Sequence, residues 1–533
     1  MQFSLLSDPP DTQQASAGAS LTPALLAWTA ILLGAAIRLY GLSIQSLWED
    51  ELFTAMYAVP YLPHEHFLDL LLAEPHPPLY YLVMRLWLSL VPLHEWSLRL
   101  PGALCSAAAP AVLFVLTRRV IGTRAASAAA ILFALSSFCL FYAQEARFYA
   151  PLQLLSAASA GLWLQLLASD EGDRPRGLAM LAVVNLLLSL THLFGFLVVA
   201  CEWPLLLVLR PRLRRDATLY LAAAASTVPY AGWLIWSYPH FSRLVGPAYW
   251  LKHFTIVDFV SPLRSIFAQP SSLLILLVPF MLAGTASWRH LAAAWRGRSG
   301  RLLTGCAGVT IMVAMLAAAV SITVTIIYMD KNLIAVFPFC YVALGMLLAA
   351  GSGGAAMASR AVAAVFLLSL ASLVTFIVSG YPIRGATGFY APYKEQVREG
   401  VAWVWHHAGP DDVVLLPDSD DRDPPFRNFR LYTEHWNDPQ RMRQVVRLTE
   451  DPARQAASIT AFAAEAKAAH HAIFLFDTHG EHFVPAAVDA VLAAGGCAQV
   501  ESLRGVWIMA IHADRVCATT DLQFPTFQTY DIR

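Results

Sequence analysis

Charge is what this sequence has least of. Asp, Glu, Lys and Arg together supply 14% of the 533 residues, where ordinary globular chains carry about 25%. A water-soluble chain of this length could not hide its apolar surface with so few charges, so a string of soluble domains is excluded. Apolar residues make up 57% and mean hydropathy is +0.53, the balance of an integral membrane protein. An excess of positive charge is lacking too. The formal net charge of -1 excludes nucleic-acid binding, which needs a basic surface to displace phosphate counterions.

Metal-ligand cysteine spacing is also missing. Of the seven cysteines, Cys105, Cys139, Cys201, Cys306 and Cys340 fall in apolar runs and read as small core residues. Cys497 and Cys517 lie in the polar C-terminal part and can pair if that part faces an oxidising compartment. Residues 1–20 contain no Lys or Arg, so the basic n-region of a cleaved signal peptide is missing. They read as a disordered cytoplasmic tail, followed by a retained span.

What is present is a series of apolar stretches long enough to cross about 30 Å of hydrocarbon as helix. They fall at 21–41, 98–117, 125–143, 148–168, 177–191, 194–209, 217–237, 271–288, 302–328, 332–350 and 360–379, and then stop. Eleven spans are therefore expected. A further run at 78–93 is short, opens with Pro77-Pro78 and carries Arg85.

Arginine distribution decides its status, because short cytoplasmic loops are rich in Lys and Arg. Arg118, Arg119 and Arg124 share one loop, Arg174 and Arg176 a second, and Arg210, Arg212, Arg214 and Arg215 a third. Arg289, Arg296, Arg298 and Arg301 follow, and then Arg360. These loops alternate regularly only if 78–93 lies along the membrane surface as an amphipathic or re-entrant piece. Residues 42–97 then form one long outside loop, the N-terminus is inside, and the C-terminal part is outside. Arg38, at the outer end of the first span, runs against this pattern, as do Asp8 and Asp11 before it; four later loops outweigh them.

From Tyr381 the character changes. A helix at 393–407 leads into the buried-strand pattern Val413-Val414-Leu415-Leu416, a helix at 458–470 precedes Ile473–Phe476, and a third at 485–494 precedes strands near 498–502 and 506–511. Helices alternating with strands suggest a small α/β domain. It contains no Gly-rich phosphate loop and no nucleophile elbow. The expected fold is thus an all-α polytopic membrane bundle at 21–380 with a small extracytoplasmic α/β domain at 381–533.

Chemistry-bearing residues gather at the outer ends of the spans. Trp48-Glu49-Asp50-Glu51 sets three consecutive carboxylates beside the membrane, where they repel each other unless a cation or substrate meets them. They are either a solvated acidic patch or the place where one carboxylate acts as a general base. Glu74-Pro75-His76-Pro77-Pro78-Leu79-Tyr80-Tyr81 combines rigidifying prolines with His76 and Tyr80, which could face the same cavity. In Gln144-Glu145-Ala146-Arg147-Phe148-Tyr149, Glu145 and Arg147 could merely neutralise each other. Otherwise Arg147 offers a fork of donors suited to phosphate, and Glu145 a contact for a metal or a sugar hydroxyl.

His192 follows Thr191 in a short outside turn. Asp330-Lys331-Asn332 occupies another, where Lys331 either snorkels at a helix end or serves as a point charge for a phosphate. Glu202 lies inside an apolar run, as a functional candidate or a hydrogen-bonded structural residue. His64 and His66 do not share a helix face and are discounted as a metal pair. A greasy bundle with an acid and phosphate-compatible cations on its outer rim points to a lipid substrate whose phosphate and transferable group face outward.

At these residues the sequence resembles the GT-C superfamily of glycosyltransferases, in particular the bacterial relatives of protein O-mannosyltransferases and of the lipid A aminoarabinose transferase. The resemblance covers roughly 20–380. It rests on Asp50-Glu51, His76–Tyr81, Ser97-Leu98-Arg99-Leu100-Pro101, Glu145–Tyr149 and Thr191-His192, in that order and on one side. It implies an inverting transfer from a polyprenyl-phosphate-linked sugar to a cell-envelope acceptor (lipid, polysaccharide or protein) at the cytoplasmic membrane.

The resemblance implies Asp50 as base with Glu51 beside it, and Arg147 and Lys331 on the departing phosphate. His76, Tyr80, Glu145, Tyr149 and His192 complete the substrate site. Some relatives use a divalent cation, for which Asp50, Glu51 and Glu145 are available, and others use none. Where the family has an Arg-Tyr pair near the tenth span, this chain has Lys331-Asn332, with Pro338 kept. A transporter or flippase of a lipid-linked or anionic substrate is the competing reading. It would favour broken spans at matching places in two halves, and the sequence lacks such symmetry.

Overall fold

The computed structural model describes residues 17–58, 64–169, 174–242, 254–256, 258–260, 262, 295, 297–352, 354–378, 396–417, 429–434, 439–448, 452–469, 471–478, 497–503 and 506–512. The chain divides into two compact units. One comprises Met1–Leu42, Tyr57–Val91 and Trp96–Ala391, the other Ser43–Met56, Pro92–Glu95 and Pro392–Arg533.

The first unit is helical, because long apolar runs must satisfy their own backbone groups to lie in hydrocarbon. In chain order the helices up to residue 378 are α1 (Ala17–Leu39), α2 (Glu49–Ala58), α3 (His64–Ala73), α4 (Leu79–Leu88), α5 (Glu95–Ile121), α6 (Thr123–Ala134), α7 (Ser137–Ala143), α8 (Tyr149–Ala168), α9 (Arg174–Thr191), α10 (Leu193–Leu209), α11 (Ala217–Phe241), α12 (Gly297–Thr323), α13 (Asp330–Leu333), α14 (Phe337–Gly351) and α15 (Ala355–Val378). Among the described residues six spans meet the length and apolarity needed to cross a membrane, or seven with α6 and α7 joined, so this is a multi-pass membrane protein. Helices α9 and α10 are apolar but shorter. The span expected at 271–288 lies outside the described residues. Helix α1 starts at Ala17, inside the stretch read as a tail.

Helix α6 is the axis of this packing. Every residue from Ala125 to Ala134 is buried, and α1, α14 and α15 pack around it. Its alanines allow close backbone approach, the usual device where lipid offers no hydrophobic drive between helices. Gly345 of α14 is required there, since a Cβ at that position would strike the Ala125 carbonyl.

The apolar run at 125–143 does not make one straight helix. It bends by 55° between α6 and α7, where the Ser136 hydroxyl accepts from the Cys139 N–H at 3.2 Å and caps α7. Arg38 caps the other side of the break. Its guanidinium donates to the Ala134 carbonyl at 2.6 Å, Phe133 at 3.2 Å, Gly34 at 3.0 Å and the Ser106 hydroxyl at 2.9 Å. A cation at a helix C-terminus also meets the negative end of the dipole. The topological outlier of the sequence thus has a local structural task.

Glu202 is similarly explained. Ser159 and Asn185 each donate to its carboxylate at 2.7 Å, joining α8, α9 and α10.

In the second unit a five-stranded sheet is ordered β2-β1-β3-β5-β4, with β1 (Val413–Pro417), β2 (Val445–Leu448), β3 (Ala472–Thr478), β4 (Cys497–Leu503) and β5 (Val506–His512). Strands β2, β1 and β3 are parallel, and β5 and β4 add antiparallel pairs. Among its described residues the unit adds α16 (Val397–His407) and α17 (Pro452–Ala469), and residues 429–434 are helical too. Gly400 of α16 lies where a Cβ would touch Val506 and Phe476, which seats that helix on the sheet. Residues 393–395, the helix expected at 485–494, and Cys517 lie outside the described residues.

Candidate functional site

In the first unit, four segments far apart in sequence bring most of the candidate residues together. The Pro-rich turn before α4 supplies His76, α4 supplies Tyr80 and Tyr81, the turn from α7 to α8 supplies Glu145, Arg147, Phe148 and Tyr149, and the turn from α9 to α10 supplies His192. Lys331 comes from α13.

The centre is a stack of rings. His76 lies parallel to His192 with centroids 5.0 Å apart, and both pack on Phe148, at 4.3 and 4.5 Å. Tyr149 stands 6.2 Å from His192, and Tyr80 6.1 Å from Phe148. Two cations border the stack: the Arg147 guanidinium lies 4.8 Å from the Phe148 ring centre, and the Lys331 ammonium 5.8 Å from that of Tyr149. Arg147 also donates to the Tyr81 hydroxyl at 3.3 Å.

Both histidines are neutral. Burial lowers His192 to about 3, with Arg147 and Lys331 adding repulsion. Burial also holds His76 well below the ordinary imidazole range, helped by His192, Arg147 and Lys331. The 3.7 Å contact of His76 with Glu74 is therefore not an ion pair at neutral pH.

The His192 tautomer follows from its neighbours. Its Nδ1 accepts from the Phe194 N–H at 3.1 Å and caps α10, so its proton is on Nε2. That buried Nε2–H has no hydrogen-bond partner among the described residues. An unanswered donor of this kind costs about 1–3 kcal/mol unless something comes to accept from it.

Sequence reasoning gave no role to Tyr57, at the end of α2. Its ring lies 4.8 Å from Tyr81 and its hydroxyl donates to Glu74 at 3.3 Å. Nothing in an isolated Tyr within an apolar stretch announces this. For Tyr81 and Phe148 the adjacent aromatic doublets were the available signal. Arg99 of the Ser97–Pro101 motif is buried and donates to the Leu42 carbonyl at 2.7 Å, a scaffold role.

In the second unit the acidic strip opens α2. Glu49, Asp50 and Glu51 fill its first turn, where the positive end of the helix dipole tolerates negative charge. Their roles there differ. Glu51 is buried, and its carboxylate accepts from the Trp48 N–H at 3.4 Å, as the third residue of a capping box does. Asp50 is half-buried. Among the described residues no group of three or more His, Cys, Asp or Glu side chains is placed to hold a metal ion.

Residues 75–236 match the family described as dolichyl-phosphate-mannose-protein mannosyltransferase, a stretch that includes His76, Tyr80, Glu145, Arg147, Tyr149 and His192. No match is found among curated protein sequences. Among solved structures, ArnT from Cupriavidus metallidurans bound to undecaprenyl phosphate is similar over 93% of this chain and 98% of that one, at 12% identity and a TM-score of 0.54. The same protein in the apo state matches over the same shares at 13% identity and a TM-score of 0.54. The Archaeoglobus fulgidus oligosaccharyltransferase in complex with Zn and sulfate matches more loosely, over 86% of this chain and 67% of that one, at 12% identity and a TM-score of 0.39. The chain therefore has an ArnT-like fold, and the resemblance to GT-C glycosyltransferases carried by its motifs is shown by the sequence match over 75–236 and by a fold shared over 93% of its length.

Proposed function

We propose that this protein is a membrane glycosyltransferase that moves a sugar from a polyprenyl-phosphate-linked donor to a cell-envelope acceptor, with inversion, on the outer side of the cytoplasmic membrane. The observation that carries the reading is the His76–His192 stack bordered by Arg147 and Lys331, with the His192 Nε2–H buried and unanswered among the described residues. We read this arrangement as an anion site at the turns of an apolar bundle. The ArnT structure, whose ligand is undecaprenyl phosphate, shares the fold, and the matching family is described by a dolichyl-phosphate sugar donor.

The chemistry follows from the donor. An acceptor oxygen attacks the anomeric carbon in line, the bond from that carbon to the phosphate oxygen breaks, and the acceptor's proton passes to Asp50. The lipid phosphate leaves with one more negative charge than it had in the donor. Arg147, Lys331 and the His192 N–H are the groups that stabilise this developing charge, and preorganised donors of this kind are a large part of many rate enhancements. Tyr80 and Tyr149 supply ring faces beside the site, and Glu145 an acceptor for a sugar hydroxyl. The reading includes eleven spans, with residues 42–97 and 381–533 outside. No step is routed through a metal.

Purified protein in detergent, supplied with labelled polyprenyl-phosphate sugars, tests this. The parent transfers sugar; Asp50→Asn, folded as judged by its melting curve, transfers at least about a thousandfold less. Glu51→Gln keeps an acceptor for the Trp48 N–H and retains most activity. Equal transfer by the parent and Asp50→Asn removes Asp50 as base, and no transfer from any lipid-linked donor removes the enzyme reading.

A further inference from the structure

Arg398, in the first turn of α16, bonds through its guanidinium to four residues of the second unit. One terminal nitrogen donates to the Ser43 carbonyl at 3.0 Å and to the Glu95 carboxylate at 2.9 Å; the other donates to the Ile44 carbonyl at 3.1 Å and to Glu399 at 2.6 Å. Nε adds a 3.1 Å bond to Glu399. Ser43 and Ile44 lie just before the acidic strip, and Glu95 opens α5. One side chain thus ties together the two ends of the loop read as 42–97.

Tyr432 makes a second tie. Its buried hydroxyl accepts from the Leu47 N–H at 2.6 Å, one residue before Trp48 caps α2. The segment that leads into Asp50 is therefore held at Ser43, Ile44 and Leu47 by two residues more than three hundred positions away in sequence. Arginine suits this task because its planar fork carries five N–H donors, enough for two carbonyls and two carboxylates at once, where a lysine has three.

We infer that Arg398, assisted by Tyr432, is a positioning residue for glycosyl transfer, fixing the approach of Asp50 to the acceptor. The C-terminal part then serves the reaction centre as well as any acceptor it meets. This rests on the proposed role of Asp50. Arg398 touches no reacting atom; it acts by holding backbone, and misplacement of a catalytic group by about 1 Å can cost a hundredfold in rate.

The test combines hydrogen exchange with kinetics on the full-length protein in detergent. In Arg398→Ala, amide exchange across residues 43–52 rises, and kcat per folded molecule falls by about ten- to a hundredfold. KM for the lipid-linked donor stays within about twofold, since the cations assigned to its phosphate are on other segments. Arg398→Lys recovers only part of the rate. Tyr432→Phe, which loses one hydroxyl and is the variant to use if Arg398→Ala does not fold, shows the same pattern more weakly. Faster exchange with kcat per folded molecule unchanged overturns the positioning role, as does a parallel loss of donor binding. A parent that transfers nothing fails a different claim, the glycosyltransferase reading itself, and takes this one with it.

Discussion

His192 illustrates how one residue can do two things through its two ring nitrogens. Nδ1 caps α10 through the Phe194 N–H, while Nε2–H has no partner among the described residues. His192→Phe preserves the stacking but deletes both. The expected result is a fall of about a hundredfold in kcat/KM, the usual consequence of removing one preorganised donor, with loss of the cap costing about 1 kcal/mol of stability. Stability should also change its pH dependence. Because the folded state holds His192 at about 3, the unfolded chain binds more protons at mildly acid pH, so stability is full above about pH 6.5 and declines as pH falls toward 3. His192→Phe should flatten that decline when melting temperatures are compared at pH 7.5 and pH 5. The same slope in both proteins would contradict a neutral, buried imidazole. The sequence offered His192 as a single polar residue in a short turn; which nitrogen carries the proton depends on Phe194, and the stack depends on His76 and Phe148, which no spacing rule connects to it.

At the scale of elements, apolar periodicity located some strands but missed β2, the helices α2 and α3, and the break between α6 and α7. Strand patterns at 413–416 and 473–476 appear as β1 and β3, each slightly longer. The run at 125–143 is uniformly apolar, so nothing in hydropathy marks the 55° bend. The only local sign is Ser136-Ser137, and the decisive partner, Arg38, lies about a hundred residues away. A positive charge at the outer end of a span counts as noise in a topology argument and becomes meaningful only when its acceptors are known. Arg38→Ala would strand the buried carbonyls of Phe133 and Ala134. With each unanswered buried group costing about 1–3 kcal/mol, the protein should melt well below the parent, whereas Arg38→Lys should restore part of the difference. An unchanged melting temperature would mean that the bend does not depend on Arg38.

For the whole molecule, the membership of the second unit bears on topology. Residues 43–56, 92–95 and 392 onward form one compact unit, and the proposed topology accordingly places all three segments on one side of the membrane. The chain must then cross an even number of times between 56 and 92, and again between 95 and 392. Helix α4 is the apolar helix in the first interval; with its ten residues it spans about 15 Å, half of a hydrocarbon core. A single crossing there would separate 92–95 from 43–56, so the proposed topology keeps α4 on the side it starts from. In the second interval the sequence reading gives ten spans, an even number that returns the chain to the same side. Arginine counting, an independent argument, is the ground on which the proposed topology takes that side to be the exterior. Two exposed positions decide the matter: Ser89, just past α4, and Arg214, in the arginine-rich loop after α10. A membrane-impermeant thiol reagent applied to intact cells should label Ser89→Cys above the parent's background. Arg214→Cys should label only after the membrane is opened. If both label in intact cells, or the pattern is reversed, then Asp50 and the C-terminal unit are not where an outward-facing lipid donor could meet them.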